Sequence, residues 1–146
     1  MDSLRKEVKE EATTRVVVGV IVNNKNEILV GQRVEDGKWE LIGGEVKPGE
    51  KLETGLVELI NKEVGPIGVF PKNLVWEENQ RSGDNLDNVK YIKCDLPVYK
   101  LPTNHPDRHS RIVWRQGSDL INLDMTERDR RFAQSYEQWR DRLVAE

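Results

Sequence analysis

The chain has 146 residues, a formal net charge of −3 and 34% charged side chains. This length suits one domain, and the acidic balance argues against broad nucleic-acid binding, which usually needs a basic face. The longest apolar run, residues 16–22, is far shorter than the roughly 20 residues that cross a bilayer, so we expect no membrane partner. The single cysteine, Cys94, permits no internal disulfide and predicts a reducing, cytoplasmic location.

The first half of the chain predicts a charged N-terminal segment and then a β-hairpin. Residues 1–13 are strongly charged and lack the apolar stretch of a signal peptide. Residues 14–146 contain no linker or repeat, so we expect a single domain there. The β-branched run at residues 15–22 is typical of a buried strand. Turn-forming residues 23–26 and a second apolar run at residues 27–31 complete the hairpin.

A short strand over residues 39–42 precedes two glycines and the most helix-like segment of the chain. The spacing predicts an amphipathic helix that begins at Glu50 and ends at Gly65 and Pro66. Four aliphatic residues share its apolar face: Leu52, Leu56, Ile60 and Val64.

Three further strands and a C-terminal helix are predicted beyond this helix. Strands are expected over residues 69–80, 89–99 and 111–115. The polar residues 81–87 read as a loop, and so do residues 101–110, which contain both histidines.

The C-terminal helix is predicted from its cap and its apolar face. Thr126 can cap it, with Asp129 three residues later, as in a capping box. Its apolar face is formed by Phe132, Tyr136, Trp139 and Leu143.

The segment at residues 43–65 carries the most informative motif, because two glycines, a loop and a helix with carboxylates follow a strand. It resembles the Nudix box, which runs Gly, five residues, Glu, seven residues, Arg-Glu, an aliphatic residue, any residue, Glu-Glu, any residue, Gly. Gly44 and Glu50 match the first spacing, and Glu63 and Gly65 match its end.

The resemblance extends over about residues 14–140, because the order of the predicted elements also matches. It implies an α/β Nudix fold, in which a mixed β-sheet is sandwiched between helices. It also implies a nucleotide-derived small molecule as the substrate or ligand. Nudix proteins often pair, so a homodimer is compatible with the resemblance.

Three positions depart from the box: Glu58 replaces its Arg, Leu59 the Glu that follows, and Lys62 the first Glu of the pair. Two of the three carboxylates that usually hold Mg²⁺ on this helix are therefore absent. The resemblance then implies one Mg²⁺ ion rather than two or three, because Mg²⁺ can use few protein ligands besides water and substrate phosphates. Its candidate ligands are Glu63 and the carbonyl of Gly43, with Glu58 as a further carboxylate.

One branch of the family, the GDP-mannose mannosyl hydrolases, has a box that is altered in a similar way, with Leu at the position of Leu59. In that branch water attacks the anomeric carbon of the sugar, one Mg²⁺ neutralises the diphosphate, and a histidine is the general base. Counted back from Trp114, the base position falls on His109, and His105 in the same loop is the alternative. We therefore expect a hydrolase of a nucleoside diphosphate linked to another moiety, with a nucleotide sugar as the first candidate.

Two residues are candidates for substrate binding, and two features of the branch are missing. Arg33 matches an arginine that the branch uses on phosphate, and Trp39 can stack on a base or a sugar. However, Glu45 replaces a second phosphate-binding arginine, and Gly19 or Val20 stands where an acidic residue is expected.

Two alternatives stay open at this point. The first is a Nudix-fold protein that has lost catalysis and binds a nucleotide or a protein partner, with Lys62 or Leu59 filling the metal position. The second is a conventional Nudix pyrophosphohydrolase with displaced metal ligands, namely Glu58, Glu63 and Glu78.

Overall fold

A computed structural model describes residues 12–96 and 108–143, apart from the side chains of residues 12 and 82. The α/β class and the mixed sheet between helices are confirmed. Seven strands form one sheet: β1 (Ala12–Val22), β2 (Glu27–Arg33), β3 (Trp39–Glu40), β4 (Ile42–Glu45), β5 (Phe70–Ser82), β6 (Asn85–Asp95) and β7 (His109–Gln116). The helices are α1 (Leu52–Val64), a 3₁₀ helix (Gly117–Asn122), α2 (Glu127–Gln134) and α3 (Tyr136–Leu143). Within the two described ranges, no helix is long and apolar enough to span a membrane.

The sheet is organised around β1. Its strands follow the order β3-β2-β1-β6-β5, and in addition β4 pairs with β1 and β7 pairs with β2. β1 and β6 run parallel, whereas the other pairs are antiparallel. The predicted hairpin of β1 and β2 is present, and the Asn23 side-chain oxygen accepts the backbone N–H groups of Lys25 and Glu27 in its turn, both at 2.9 Å.

Both faces of the sheet are covered, which explains the continuous apolar run of β1. Val16, Val18 and Val20 point into a core under α2 and α3. Val17 and Ile21 point into a second core under α1. The four predicted apolar residues of α1 also lie in or against this second core.

The polar segment at residues 81–87 is not the predicted loop. β5 and β6 continue through it to a two-residue turn, where Gly83 has a φ of 63° and supplies the left-handed conformation. The sequence predicted a loop because the residues of this hairpin are polar. In the structure, polar side chains bond across its two strands: Asn88 donates to Asn79 at 3.0 Å, and Lys90 donates to Glu77 at 3.0 Å.

The C-terminal helical segment also differs from the prediction. It consists of two helices that are separated at Ser135, whose hydroxyl donates to the carbonyl of Arg131 at 2.7 Å. The capping box does not form, because Asp129 is fully buried and turns into the core instead. Thr126 precedes α2 as expected, but its side chain makes no capping hydrogen bond.

Candidate active site

Three elements converge at one end of the box helix α1. Glu40 comes from β3, Glu63 from the last turn of α1, and His109 from the start of β7. One ligand atom of each side chain lies within 4.8 Å of the others, and we call these three residues the Glu-Glu-His group. Glu63 was predicted as a metal ligand and His109 as a general base, and the structure brings the two side chains together. His105 lies outside the described residues.

The strand register explains why His109 can reach Glu40. β2 pairs with β3 on one side and with β7 on the other, and Gly31 lies opposite Glu40. A Cβ atom on Gly31 would lie only 2.6 Å from Cδ2 of His109. The imidazole ring therefore packs against the Gly31 backbone, and only glycine leaves room for it. His109 belongs to β7 rather than to the predicted loop, and its side chain has no exposed surface.

Glu40 and His109 form a buried hydrogen-bonded pair. His109 Nε2 lies 2.8 Å from Glu40 Oε2. Burial raises the pKa of Glu40, but the hydrogen bond from His109 and the charges of Arg128 and Arg108 outweigh it, so this pKa lies below its usual value. An ionised Glu40 can only accept, so Nε2 carries the proton. In the neutral form of the ring Nδ1 is then the acceptor nitrogen, and it is buried without a hydrogen-bond partner among the described residues.

Arg108 lies across the two carboxylates of the group. Its Nε and Nη2 atoms donate to the Glu40 carboxylate at 3.0 and 3.3 Å. Nε is also 3.1 Å from Glu63 Oε1, but this ion pair lacks hydrogen-bond geometry, so Oε1 has no hydrogen-bond partner in the described part of the chain. Sequence reasoning missed both Arg108 and Glu40. An acidic residue in a short strand and an arginine in a polar loop are ordinary surface residues by pattern.

The box positions that depart from the motif supply no further carboxylate to the Glu-Glu-His group. Leu59 shares a helix face with Glu63, and its Cδ2 lies 3.2 Å from the place of a Cβ atom on Gly44. An apolar side chain thus fills the position of the second box carboxylate. Glu58 and Lys62 are exposed, and Glu58 is not part of the Glu-Glu-His group. The donors that remain fit a single divalent cation, since Mg²⁺ needs only one or two protein carboxylates.

Gly43 occupies a tight position against β1. A Cβ atom on it would lie 2.4 Å from the carbonyl oxygen of Val17, so β4 can approach β1 only with glycine here. Its pairing with Val18 fixes the strand that leads from Glu40 to the box. The role of its carbonyl as a metal ligand stays a prediction.

The two candidate substrate-binding residues have partners within the protein. Arg33 forms ion pairs with Glu35 at 2.7 Å and Asp36 at 3.4 Å. Trp39 is only 7% exposed, and the guanidinium groups of Arg111 and Arg115 lie 5.5 and 5.9 Å from its ring centre. Substrate contact by either residue requires these neighbours to move, and both roles stay predictions.

Glu78 does not join the site. It accepts hydrogen bonds from Trp76 Nε1 at 2.8 Å and Gln80 Nε2 at 3.0 Å, and Gln80 also bonds the Arg128 carbonyl. Glu78 therefore faces α2, and it lines a cleft of about 470 Å³ between the β5-β6 hairpin and that helix. The displaced ligand set of Glu58, Glu63 and Glu78 is not assembled, because Glu78 lies on the sheet face opposite α1.

Comparison with known proteins identifies the family. The profile of the NUDIX domain matches residues 12–136. The solution structure of the E. coli ORF135 protein is similar with a TM-score of 0.76 and 19% identity, over 94% of this chain and 98% of that one. The crystal structure of the MutT protein from Methanosarcina mazei Go1 is similar with a TM-score of 0.71 and 24% identity, over 91% of this chain and 97% of that one. The crystal structure of a C. elegans Ap4A hydrolase binary complex is similar with a TM-score of 0.68 and 15% identity, over 85% of this chain and 95% of that one.

No curated protein matches the chain. Identities this low show a shared fold and leave the substrate open, whereas the domain match covers most of the sequence. The chain belongs to the NUDIX domain family and has the Nudix fold.

Proposed function

We propose that this protein hydrolyses a nucleoside diphosphate linked to another moiety, with a nucleotide sugar as the first candidate, and that it uses one Mg²⁺ ion. The observation that carries the proposal is the contrast between Glu63 and Leu59 on one helix face. Glu63 is retained beside Glu40 and His109, while Leu59 packs against Gly44. Substitution at carbon with a diphosphate leaving group needs less metal charge than attack on phosphorus, and a one-cation site with a histidine suits it.

The two carboxylates and the Gly43 carbonyl would hold the cation. When bound there, Mg²⁺ would supply positive charge for the departing diphosphate. Glu63 is 15% exposed and Glu40 is 4% exposed as side chains, so Glu63 is the carboxylate of the two that retains more contact with solvent. Arg33, at the end of β2 opposite His109, is the candidate contact for the phosphate groups.

His109 is the proposed general base, and Glu40 is its positioning partner. The Glu40 carboxylate holds the Nε2–H group and fixes the tautomer, so Nδ1 takes the proton of the attacking water. The water oxygen bonds to the anomeric carbon, and the bond from that carbon to the diphosphate oxygen breaks. The products are the free sugar and a nucleoside diphosphate. Nδ1 is buried without substrate, so the proposal requires the ring to meet water when substrate binds. His105 is the alternative base.

Product analysis on nucleotide sugars, dinucleotides and nucleoside triphosphates, with and without Mg²⁺, tests this proposal. We expect a nucleoside diphosphate and a free sugar, and only with the ion present. Glu63→Gln and His109→Gln should each lower kcat by about 10²-fold or more, since a positioned base contributes roughly 10²–10⁴-fold. Glu77→Gln is the matched control, because Glu77 is a carboxylate outside the Glu-Glu-His group whose oxygen accepts from Asn88 and Lys90. A nucleoside monophosphate and a sugar phosphate as products would contradict the proposal.

A second candidate function is a nucleotide-binding protein without catalysis. Two observations favour it: Arg108 already neutralises the carboxylates, and His109 has no exposed surface. In that case no compound in the panel is turned over. A ligand would still raise the free energy of unfolding, by about 2.7 kcal/mol at 100 times its Kd.

A further inference from the structure

We propose that the Arg108 guanidinium and a divalent cation compete for one position between Glu40 and Glu63, so that the cation binds only when Arg108 leaves. The inference rests on the proposed function for its choice of site, but it concerns binding alone. In the described structure, the Arg108 guanidinium occupies the position that the divalent cation would take.

The first step is that the two cations need the same oxygen atoms. Arg108 Nε lies 3.0 Å from Glu40 Oε2 and 3.1 Å from Glu63 Oε1. A divalent ion bound by these carboxylates would take both oxygens at about 2.0–2.2 Å. No room then remains for a guanidinium nitrogen at hydrogen-bond distance from the same atoms.

The second step is that the two carboxylates favour a cation beside them. The Glu40 side chain is 4% exposed, and a buried carboxylate without a partner is strongly destabilising. Arg108 supplies that charge in the structure described here. Glu63 Oε1 still lacks a hydrogen-bond partner within the described ranges, so the arginine satisfies the position only in part.

The third step is that Arg108 can leave without unfolding the strand. Its side chain is 44% exposed, and its backbone carbonyl accepts the N–H group of Val34 at 2.8 Å. The main chain of Arg108 is therefore fixed just before the start of β7, while its side chain borders solvent. Arg128, by contrast, is 19% exposed and its guanidinium also donates to the carbonyl of Leu41.

Manganese binding, measured by electron paramagnetic resonance of free Mn²⁺, tests the competition without reference to turnover. Arg108→Gln removes the competing charge, and we expect it to bind Mn²⁺ about tenfold more tightly than the wild type if Arg108 fills the position nine-tenths of the time. Arg111→Gln is the matched control, because Arg111 is an exposed arginine on β7, three residues after Arg108, and it contacts Trp39 instead of the two carboxylates. It should leave the Mn²⁺ affinity within about twofold of the wild type. Equal or weaker binding by Arg108→Gln would overturn the inference.

A second measurement on the wild type keeps the test decisive should Arg108→Gln fail to fold. Diamagnetic Mg²⁺ at saturation should shift the Arg108 Nε–H signal in nitrogen-15 NMR and speed its exchange with water, since the hydrogen bond to Glu40 is lost. Comparison with the spectrum of Arg108→Lys identifies the signal. A hydrogen-bonded, unshifted Nε–H at saturating Mg²⁺ would overturn the inference. Tighter Mn²⁺ binding by Arg108→Gln without any turnover would instead uphold the competition and count against the hydrolase.

Discussion

Asp129 and Glu40 are both buried carboxylates, and they differ in how completely their hydrogen-bonding partners are closed off from solvent. Asp129, on the side of α2 and α3, accepts Leu41 N–H at 2.8 Å, the Tyr91 hydroxyl at 2.7 Å, and two N–H groups of Arg128 at 2.8 Å each. Glu40, one residue before Leu41, is held by His109 and by the half-exposed Arg108. The first network is closed, whereas the second has an arginine at its solvent edge.

The difference shows which network builds the fold and which is open to a ligand. Buried polar groups that are fully hydrogen-bonded rigidify a structure, and unsatisfied ones call for another explanation. Leu41 N–H, the Tyr91 hydroxyl and the Arg128 guanidinium all donate to Asp129, and burial together with the Asp129 charge raises the pKa of Tyr91 well above its usual value. Around Glu40, His109 Nδ1 and Glu63 Oε1 lack hydrogen-bond partners among the described residues. We therefore assign the Asp129 network to stability and the Glu-Glu-His group to function.

The largest expected effect belongs to the closed network. Asp129→Ala would leave Arg128, Tyr91 and the Leu41 N–H without their acceptor, so we expect a loss of about 3–5 kcal/mol in the free energy of unfolding. Denaturation with urea measures it. Asp141→Ala is the matched control, because Asp141 is 93% exposed and should show no measurable change. A small effect of Asp129→Ala would remove the distinction between the two networks.

Gly31→Ala should displace the His109 ring of the Glu-Glu-His group. Its new Cβ atom would lie 2.6 Å from the His109 ring, and overpacking of this kind costs about 1–3 kcal/mol. Because the ring must shift away from Glu40, activity should fall together with the melting temperature. In Gly55→Ala the Cβ atom would first meet the flexible end of Glu50 at 3.1 Å, so this control should lose less stability. Equal losses would show that His109 is not tightly seated.

The pH dependence of stability should depend on Glu40. Its pKa is lowered in the folded state, so its contribution is fully present above the unfolded value near 4.5 and is lost as pH falls through the folded value. Urea denaturation of the wild type should therefore show a drop in stability below that value, and Glu40→Gln should flatten the drop. In Glu77→Gln the drop should be nearly unchanged, because Glu77 is more exposed and its partners lie at the surface. A wild-type profile in Glu40→Gln would contradict the assignment.

The smallest expected effect concerns the thiol under α1. Cys94 is fully buried, and burial, followed by the charge of Asp95, raises its pKa to about 12. The folded protein should therefore be inert to a thiol reagent at about pH 8, and it should react once after unfolding, because the thiolate is the reactive form. Rapid reaction of the folded protein would mean that the core under α1 opens easily.

Much of the fold and half of the site follow from the sequence, for physical reasons. Apolar periodicity places β1 and α1, and the box spacing places Glu63 in the last turn of α1. Glu40 and Arg108 could not be predicted, because their burial and pairing depend on contacts between β3, β7 and α1. Asp129 was read as a capping residue since local spacing does not show that it reaches Tyr91, 38 residues away.

The single-cation site is tested most directly by the number of cations that the Glu-Glu-His group binds. Mn²⁺ titration of the wild type at low salt, again followed by electron paramagnetic resonance, should give one ion per chain, and Glu63→Gln should abolish its binding. Glu77→Gln should bind as the wild type does. Two or more ions per chain, or unchanged binding by Glu63→Gln, would contradict a single-cation site built on Glu63.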